Sequence, residues 1–426
     1  MSQKSSVIRN IVLCLAVLLA GCHPAGSSGQ LVKSDLPRVV SPDVTGAQVG
    51  QLVSGNNAFA FDLYHTIPAS ETGNLVFSPY SIWLAFSMLF AGAQGETESQ
   101  LAQVLHFLAQ EDQHTVLNAV DQRLQALGEA RSDEEEGGPF QLSLSNALWG
   151  QQGYPFMQPY LDILAQQYAA GLRLVDFQRS PEAARQAINA WVAKETKGRI
   201  EEIAPHGSID SSTRLVLANA IYFKAGWAYS FGSEATANGR FTLLDGSPVT
   251  VPQMHLQIRL DYLQGEDFQA VRLPYVDHTV DMWVILPAEG QFETLQSQLS
   301  SAWLEDVRYQ AGAWDVILTL PRFDFESDLS LPELMQSMGL TAAFCPGQDF
   351  GGMAEGGGLC IGNALHRATI TVDEQGTEAA AATIAMIEVS KVEEVEMTVD
   401  RPFLFAILVR DTGLILFLGQ VLDPAS

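Results

Sequence analysis

The side chains able to act as nucleophiles, bases or metal ligands are scattered through this chain without the spacings that catalysis needs. None of its eight histidines stands at ligand spacing from another His or Cys, so no metal ligand set is expected. There is no Gly-x-Ser-x-Gly elbow, no His-Glu-x-x-His helix and no P-loop. The run Gly351-Gly-Met-Ala-Glu-Gly-Gly-Gly358 lacks the Lys and Ser/Thr of a phosphate cradle and reads as a flexible loop. Any enzyme would have to gather its site from distant residues, so no catalytic residue and no cofactor is expected. Cysteine is the exception. Cys14 lies in an apolar leader and Cys22 directly follows it, which leaves Cys345 and Cys360. In an oxidising compartment these two could pair; they could equally stay as two buried thiols, because sequence spacing does not give Cα separation.

The bulk numbers bound the rest. With 426 residues, 47% hydrophobic, the chain can bury one large core or two smaller ones. A formal charge of -26 would repel a phosphate backbone, so no nucleic acid is expected as partner. Lys4 and Arg9 precede an apolar run, Ile11 to Ala20, that is too short to span a bilayer and reads as a signal peptide over residues 1–21. Its end, Leu19-Ala-Gly-Cys22, resembles the lipobox of bacterial lipoproteins: small residues fit a peptidase cleft and the Cys22 thiol carries lipid. Cleavage before Cys22 removes two positive charges, from -26 to -28. Multiple acyl chains on Cys22 would anchor the protein firmly to a membrane. Residues 22–50 are Gly-, Ser- and Pro-rich without amphipathic period and are expected to be a tether, with one folded domain over 51–426.

Within that domain, Asn57 to His65, Tyr80 to Ala91, Glu96 to Leu108 and Pro181 to Lys194 read as helices. Phe140 to Leu148, Leu215 to Phe223, several segments between Phe241 and Ile285, and Phe403 to Leu422 read as strands. Helices dominate early and strands late without β-α alternation, which gives an α+β class. One late stretch is unusual. From Thr377, alternate residues (Thr377, Ala379, Ala381, Thr383, Ala385, Ile387) are small or apolar, while Glu378 and Glu388 share the opposite face. That is the pattern of a strand with one buried face, although alanine also permits helix.

Here a resemblance enters. Glu374-Gln-Gly-Thr-Glu-Ala-Ala-Ala-Ala382 is similar to the reactive-loop hinge of serpins, the serine protease inhibitor family. Asn74-Leu-Val-Phe-Ser-Pro-Tyr-Ser-Ile82, Leu217-Ala-Asn-Ala-Ile-Tyr-Phe-Lys-Ala-Gly-Trp227, Arg401-Pro-Phe-Leu-Phe405 and Phe417-Leu-Gly-Gln-Val-Leu-Asp-Pro424 resemble further serpin signatures, in the family's order. Gln420 stands where the family often has a basic residue. The resemblance implies three β-sheets, eight or nine helices and an exposed loop offered to a serine or cysteine protease. Attack gives an acyl-enzyme, and the cut loop then inserts into the large sheet as a new strand, dragging the protease with it. Gly376 to Ser390 would span on the order of 50 Å when extended, enough for such a strand.

Residue by residue, the resemblance assigns Glu374, Gly376, Thr377, Ala379 and Ala381 to the hinge. Ser78, Ser81, Asn219 and His366 would form a polar shutter at the sheet's centre, with Ser78 alternatively a helix cap. Trp227, Arg322 and Glu374 would form the breach where the loop enters, with an ion pair between Arg322 and Glu374. Counting from the hinge puts the reactive bond after Ser390; counting back from Pro402 puts it after Lys391, and Ile387 and Val389 are further candidates. The protein would act as a monomer. The alternative is a non-inhibitory serpin serving as a binding or scaffold protein, whose hinge would be expected to carry bulky or charged residues. Here Thr377, Ala379 and Ala381 are small.

Overall fold

In the computed structural model, the described residues are 29–67, 73–129, 141–345, 350–356, 358–377 and 394–426. Cys22 and the signal segment lie outside them, as do Ala379, Ala381, Ile387, Val389, Ser390 and Lys391. The fold is α+β, with nine α-helices among the described residues.

Its centre is a sheet in the order β1-β4-β3-β5-β12-β11, made of β1 (Gln30–Val32), β3 (Gln141–Gln151), β4 (Leu172–Val175), β5 (Leu215–Gly226), β11 (Phe323–Ser330) and β12 (Asn363–Val372). A two-residue strand, β13 (Gly376–Thr377), joins the top of β5. A second layer holds β2 (Leu75–Phe77), β6 (Ala237–Thr242), β7 (Pro248–Gln264), β8 (Phe268–Pro274), β9 (Val280–Pro287), β10 (Gly312–Pro321), β14 (Glu394–Thr398), β15 (Phe403–Val409) and β16 (Ile415–Val421). The 17-residue β7 serves two sheets. Its first part pairs β6, its middle β10, and its last three residues β8. That division yields the three sheets of the fold.

Two of the helices packed against the large sheet, one on each face, matter most for the site. α2 (Pro79–Phe90) is buried along its whole length, as a helix apolar all round must be, and fills the core behind the sheet. Ser78 caps it, accepting from the Ser81 N–H at 3.1 Å, and Pro79 sits in the first turn where its missing N–H costs nothing. α6 (Pro181–Glu195) lies over the other face. Alternation along β5 serves both layers: Leu215, Leu217, Ile221, Phe223 and Ala225 face the main core, whereas Val216, Ala218 and Ala220 face Ile188, Trp191 and Val192 of α6.

Two expectations fail. The tether does not extend to Gly50. From Gln30 the chain is docked: β1 pairs antiparallel with β4, and Arg38 donates to Asn118 at 2.7 Å and pairs with Asp121 at 2.6 Å on α4 (Gln110–Glu129). α1 (Gly46–Thr66) then starts eleven residues before the expected Asn57, behind a capping box between Thr45 and Gln48. Apolar contact and ladder hydrogen bonds overrode a composition that looked like a linker. Nor is the glycine-rich run flexible over residues 350–356. Met353 is fully buried, the Gly352 N–H donates to the Gly92 carbonyl at 3.1 Å, and the Met157 N–H donates to the Met353 carbonyl at 2.8 Å. A Cβ on Gly92 would lie 2.0 Å from Met353 Cγ, so glycine there makes room for the loop.

The open question of the cysteines resolves as a disulfide: Cys345 and Cys360 are bonded, with Cα atoms 5.1 Å apart and a sequence separation of 15. Closing a loop of this length is worth about 3 kcal/mol in the chain-entropy account. Chemical denaturation with and without reductant should therefore show a loss of roughly that size on reduction. Identical curves would mean that the bond adds nothing to the fold.

Candidate functional site: the split sheet and its hinge

β5 and β12 lie side by side and parallel, but their ladder runs only from Val216–Asn363 to Ile221–Ala368, six register pairs. Above that seam, β12 continues to Val372 paired with β11 alone. β5 continues to Gly226, and β13 pairs with its last two residues, Gly376 opposite Gly226 and Thr377 opposite Ala225. The large sheet is thus joined below, split above, and occupied at its upper end by the first residues of the hinge.

A tight turn delivers the hinge. The Asp373 carboxylate accepts from the N–H groups of Gln375 (2.8 Å) and Gly376 (3.2 Å), and the Asp373 N–H donates to the Gly376 carbonyl (2.9 Å). Gly376 has φ +152°, and a Cβ there would come within 2.2 Å of the Ala225 carbonyl oxygen, so only glycine permits the pairing. Trp227 binds the turn twice, through Nε1 to the Asp373 carbonyl (3.0 Å) and through its backbone N–H to the Gln375 carbonyl (2.9 Å). Its ring stacks on Tyr275 with centroids 4.6 Å apart. The Tyr275 hydroxyl bonds the Thr377 hydroxyl at 2.8 Å, in a fully buried setting that raises the phenol's pKa.

The sequence therefore places Thr377 wrongly in one respect. The resemblance puts it in the hinge of an exposed loop that enters the sheet only after cleavage, whereas Thr377 is already 1% exposed. Hydrogen bonding to Tyr275 and the β5 ladder draw it in. A charge at this position would disturb the resting protein as well as any inserted one.

Glu374 is buried beside the turn. Arg322 donates to its Oε1 from Nε at 2.8 Å and also from Nη2, and Thr236 donates to the same oxygen. The pair is forked onto one oxygen, with no second parallel bond. Burial pushes the carboxyl's pKa up, but the bonds from Arg322 and Thr236 outweigh it and leave the group below its usual range. Trp227, Arg322 and Glu374 thus meet at one point, joined by Tyr275 and Thr236, which the sequence did not single out.

A second polar cluster crosses the seam itself. His366 on β12 stands opposite Asn219 on β5. The Ser78 N–H donates to His366 Nε2 at 3.2 Å, so the ring proton sits on Nδ1 and is donated to Asn219 Oδ1. Asn219 Nδ2 donates to Ser81 Oγ at 2.6 Å and to Asn146 Oδ1, Asn146 being its partner on β3. Ser78 caps α2 with its side chain and donates to His366 with its backbone N–H. Asn146 was missed because only the β3–β5 register brings it there.

A family model described as Serpin (serine protease inhibitor) matches residues 54–424. An uncharacterized serpin-like protein of Thermococcus kodakarensis is 35% identical over 97% of this chain and 98% of its own. The leukocyte elastase inhibitor of Bos taurus is 36% identical over 88% of this chain and 100% of its own. Among solved structures, tengpin, a thermophilic serpin in the native state, aligns with a TM-score of 0.80 at 27% identity, covering 92% of this chain and 100% of tengpin. Human thyroxine-binding globulin gives 0.78 at 28% identity over 89% of this chain and 100% of its own.

Burial lowers His366 from its ordinary 6.5 to about 3 and buried His114 to about 4. Unfolded, both would bind a proton near pH 6.5; folded, they resist until far lower pH. Their contribution is therefore intact above pH 6.5 and lost as pH falls through that value towards 3. Between pH 7 and 5 each should cost about 2 kcal/mol of folding stability. Denaturation midpoints across this range should fall steadily, and a flat profile would show that neither histidine is held neutral.

Proposed function

This chain belongs to the serpin family, and we propose that it is an inhibitory member, a suicide substrate for serine and also cysteine endopeptidases. The observation that carries this reading is the split in the large sheet, with Gly376 and Thr377 already paired on β5 as the first residues of an added strand. A protease would attack the loop that follows and form an acyl-enzyme. Continued pairing along β5 would then part the six-pair seam from above, with the small face of Thr377, Ala379 and Ala381 turned to the core and Glu378 turned outward. The gain is a full ladder in place of solvated loop backbone, which is the strain release of loop insertion. No step makes the chain a catalyst, since the protease supplies the nucleophile.

Small or apolar bait at Ser390, Val389 or Ile387 suits an elastase-like pocket, in keeping with the elastase inhibitors among the relatives; Lys391 suits a trypsin-like one. These residues lie outside the described ones, so the bond is to be fixed by experiment. Incubating the soluble domain with elastase-, trypsin- and subtilisin-type and papain-type proteases should give a complex that survives denaturation. The released C-terminal fragment should begin at Lys391 if Ser390 is the bait, or at Val392 if Lys391 is. Cleavage with no trapped complex from any protease would defeat inhibition and favour a binding or scaffold role.

The same reading places the inhibitor as an outward-facing monomer, held to a membrane by lipid on Cys22 and guarding its own cell from foreign or periplasmic proteases. The support is the Leu19-Ala-Gly-Cys22 run at the end of the leader. Cys22→Ala should move the protein from the membrane to the soluble fraction. Equal partition of wild type and variant would dispose of the anchor.

A further inference from the structure

We propose that Asn363 and Arg367, both on β12, form a latch across the seam that sets how readily the large sheet opens. The proposal rests on the insertion reading of the split sheet.

α6 belongs to one side of the seam. Its buried residues Ala184, Ala187, Ile188, Trp191 and Val192 pack mainly with Ala147 and Trp149 of β3 and with Val216, Ala218 and Ala220 of β5; Leu365 is the one β12 residue in that cluster. The segment after α6 is bound to it. Arg185 pairs with Glu202 at 2.7 Å and donates to the Ala204 carbonyl at 2.8 Å. Asn189 accepts from the N–H groups of Ile203 (3.0 Å) and Ala204 (2.8 Å) and donates to the Ala204 carbonyl at 3.0 Å. Parting β5 from β12 therefore carries α6 and residues 202–208 with β5.

β12 holds on to that same segment from the other side. Arg367 Nη1 donates to the Glu202 carbonyl, and Asn363 Nδ2 donates to the Ser208 carbonyl at 3.0 Å. The Arg367 guanidinium is braced from its own side by Glu326 (3.0 Å) and Asp328 (2.7 Å) on β11. The two kinds of bond across the seam differ in what happens to them. Ladder bonds between β5 and β12 are replaced by bonds to the incoming strand on either side. The two latch bonds reach backbone carbonyls over the top of the sheet, and an inserted strand offers nothing in their place. The Arg367 bond, opposite Ala220 near the upper end of the seam, opposes the start of opening, and the Asn363 bond, opposite Val216 at the lower end, opposes its completion; neither is recovered afterwards.

The test uses the whole soluble domain and a synthetic peptide with the sequence of residues 374–387, which should anneal into the sheet without any protease. Arg367→Met should take up the peptide about tenfold faster, the rate equivalent of one charge-assisted hydrogen bond lost before the barrier. Asn363→Ala should also be faster, by a smaller factor. Arg367→Lys, which keeps a donor within reach of the Glu202 carbonyl, should return close to wild type. A merely structural role would lower the unfolding midpoint and leave the annealing rate alone. Should Arg367→Met fail to fold, Asn363→Ala decides. Annealing at or below the wild-type rate in the variants that fold overturns the latch, whereas a wild type that accepts no peptide overturns the insertion reading beneath it.

Discussion

The parallel ladder between β5 and β12 is the constraint around which the molecule is arranged. It is short, six pairs in a sheet whose other pairings at β3–β5 and β11–β12 run to ten and eight. Parallel pairing is also slightly weaker per residue than antiparallel. Among the junctions joining β3, β5, β12 and β11, the weakest thus lies between β5 and β12, and the residues around it limit when it gives way. His366 and Asn219 join the two strands from below through a buried network, and α6 covers them from above. Neither set of contacts makes the junction strong; both make its failure all-or-none, because a half-broken buried network leaves unpaired polar groups.

The segment Gly376–Thr377 lies beside that junction. Gly376 allows an approach to the Ala225 carbonyl that no other residue could make, so the chain after β12 turns back into the sheet's own gap. Trp227 binds the turn backbone, and Tyr275 holds the first buried hydroxyl. Glu374 is fixed by Arg322, which stands beside it on the β11–β12 side of the opening. The charge is compensated locally and is shared with a threonine hydroxyl, as a buried carboxylate requires.

Much of this was legible in the sequence, and the omissions have physical reasons. The α2 boundaries, with Ser78 capping and Pro79 in the first turn, follow from local rules, and so does β5 with its two-sided alternation. Glu374, Arg322 and Trp227 are named in advance only through the resemblance, since nothing local says that residues 227, 322 and 374 meet. Asn146, Tyr275 and Thr236 were invisible for the same reason. The start of α1 carried a local signal, because Thr45 and Gln48 spell a capping box that composition overshadowed. The disulfide could not be decided from spacing, and burial of Met353 could not be read from a run of glycines. Thr377 was misplaced because a strand pattern tells which face is buried, but not in which state of the protein.

The two outer margins of the large sheet contrast with its middle. On one side β1, drawn from the segment expected to be a linker, covers the otherwise bare backbone of β4. On the other, β11 presents Asp324, Glu326 and Asp328 at alternate positions. Margins that are covered or charged discourage a neighbouring molecule from adding a strand there. A chain that accepts one more strand, as proposed above, would otherwise be exposed to accepting a stranger's. With one flank ending in a three-residue strand and the other charged, the gap between β5 and β12 is where added pairing has begun, with Gly376 and Thr377 at its entrance. On the insertion reading proposed above, self-recognition would be a matter of proximity and effective concentration, the molecule's own loop being present at a concentration that a free strand does not reach.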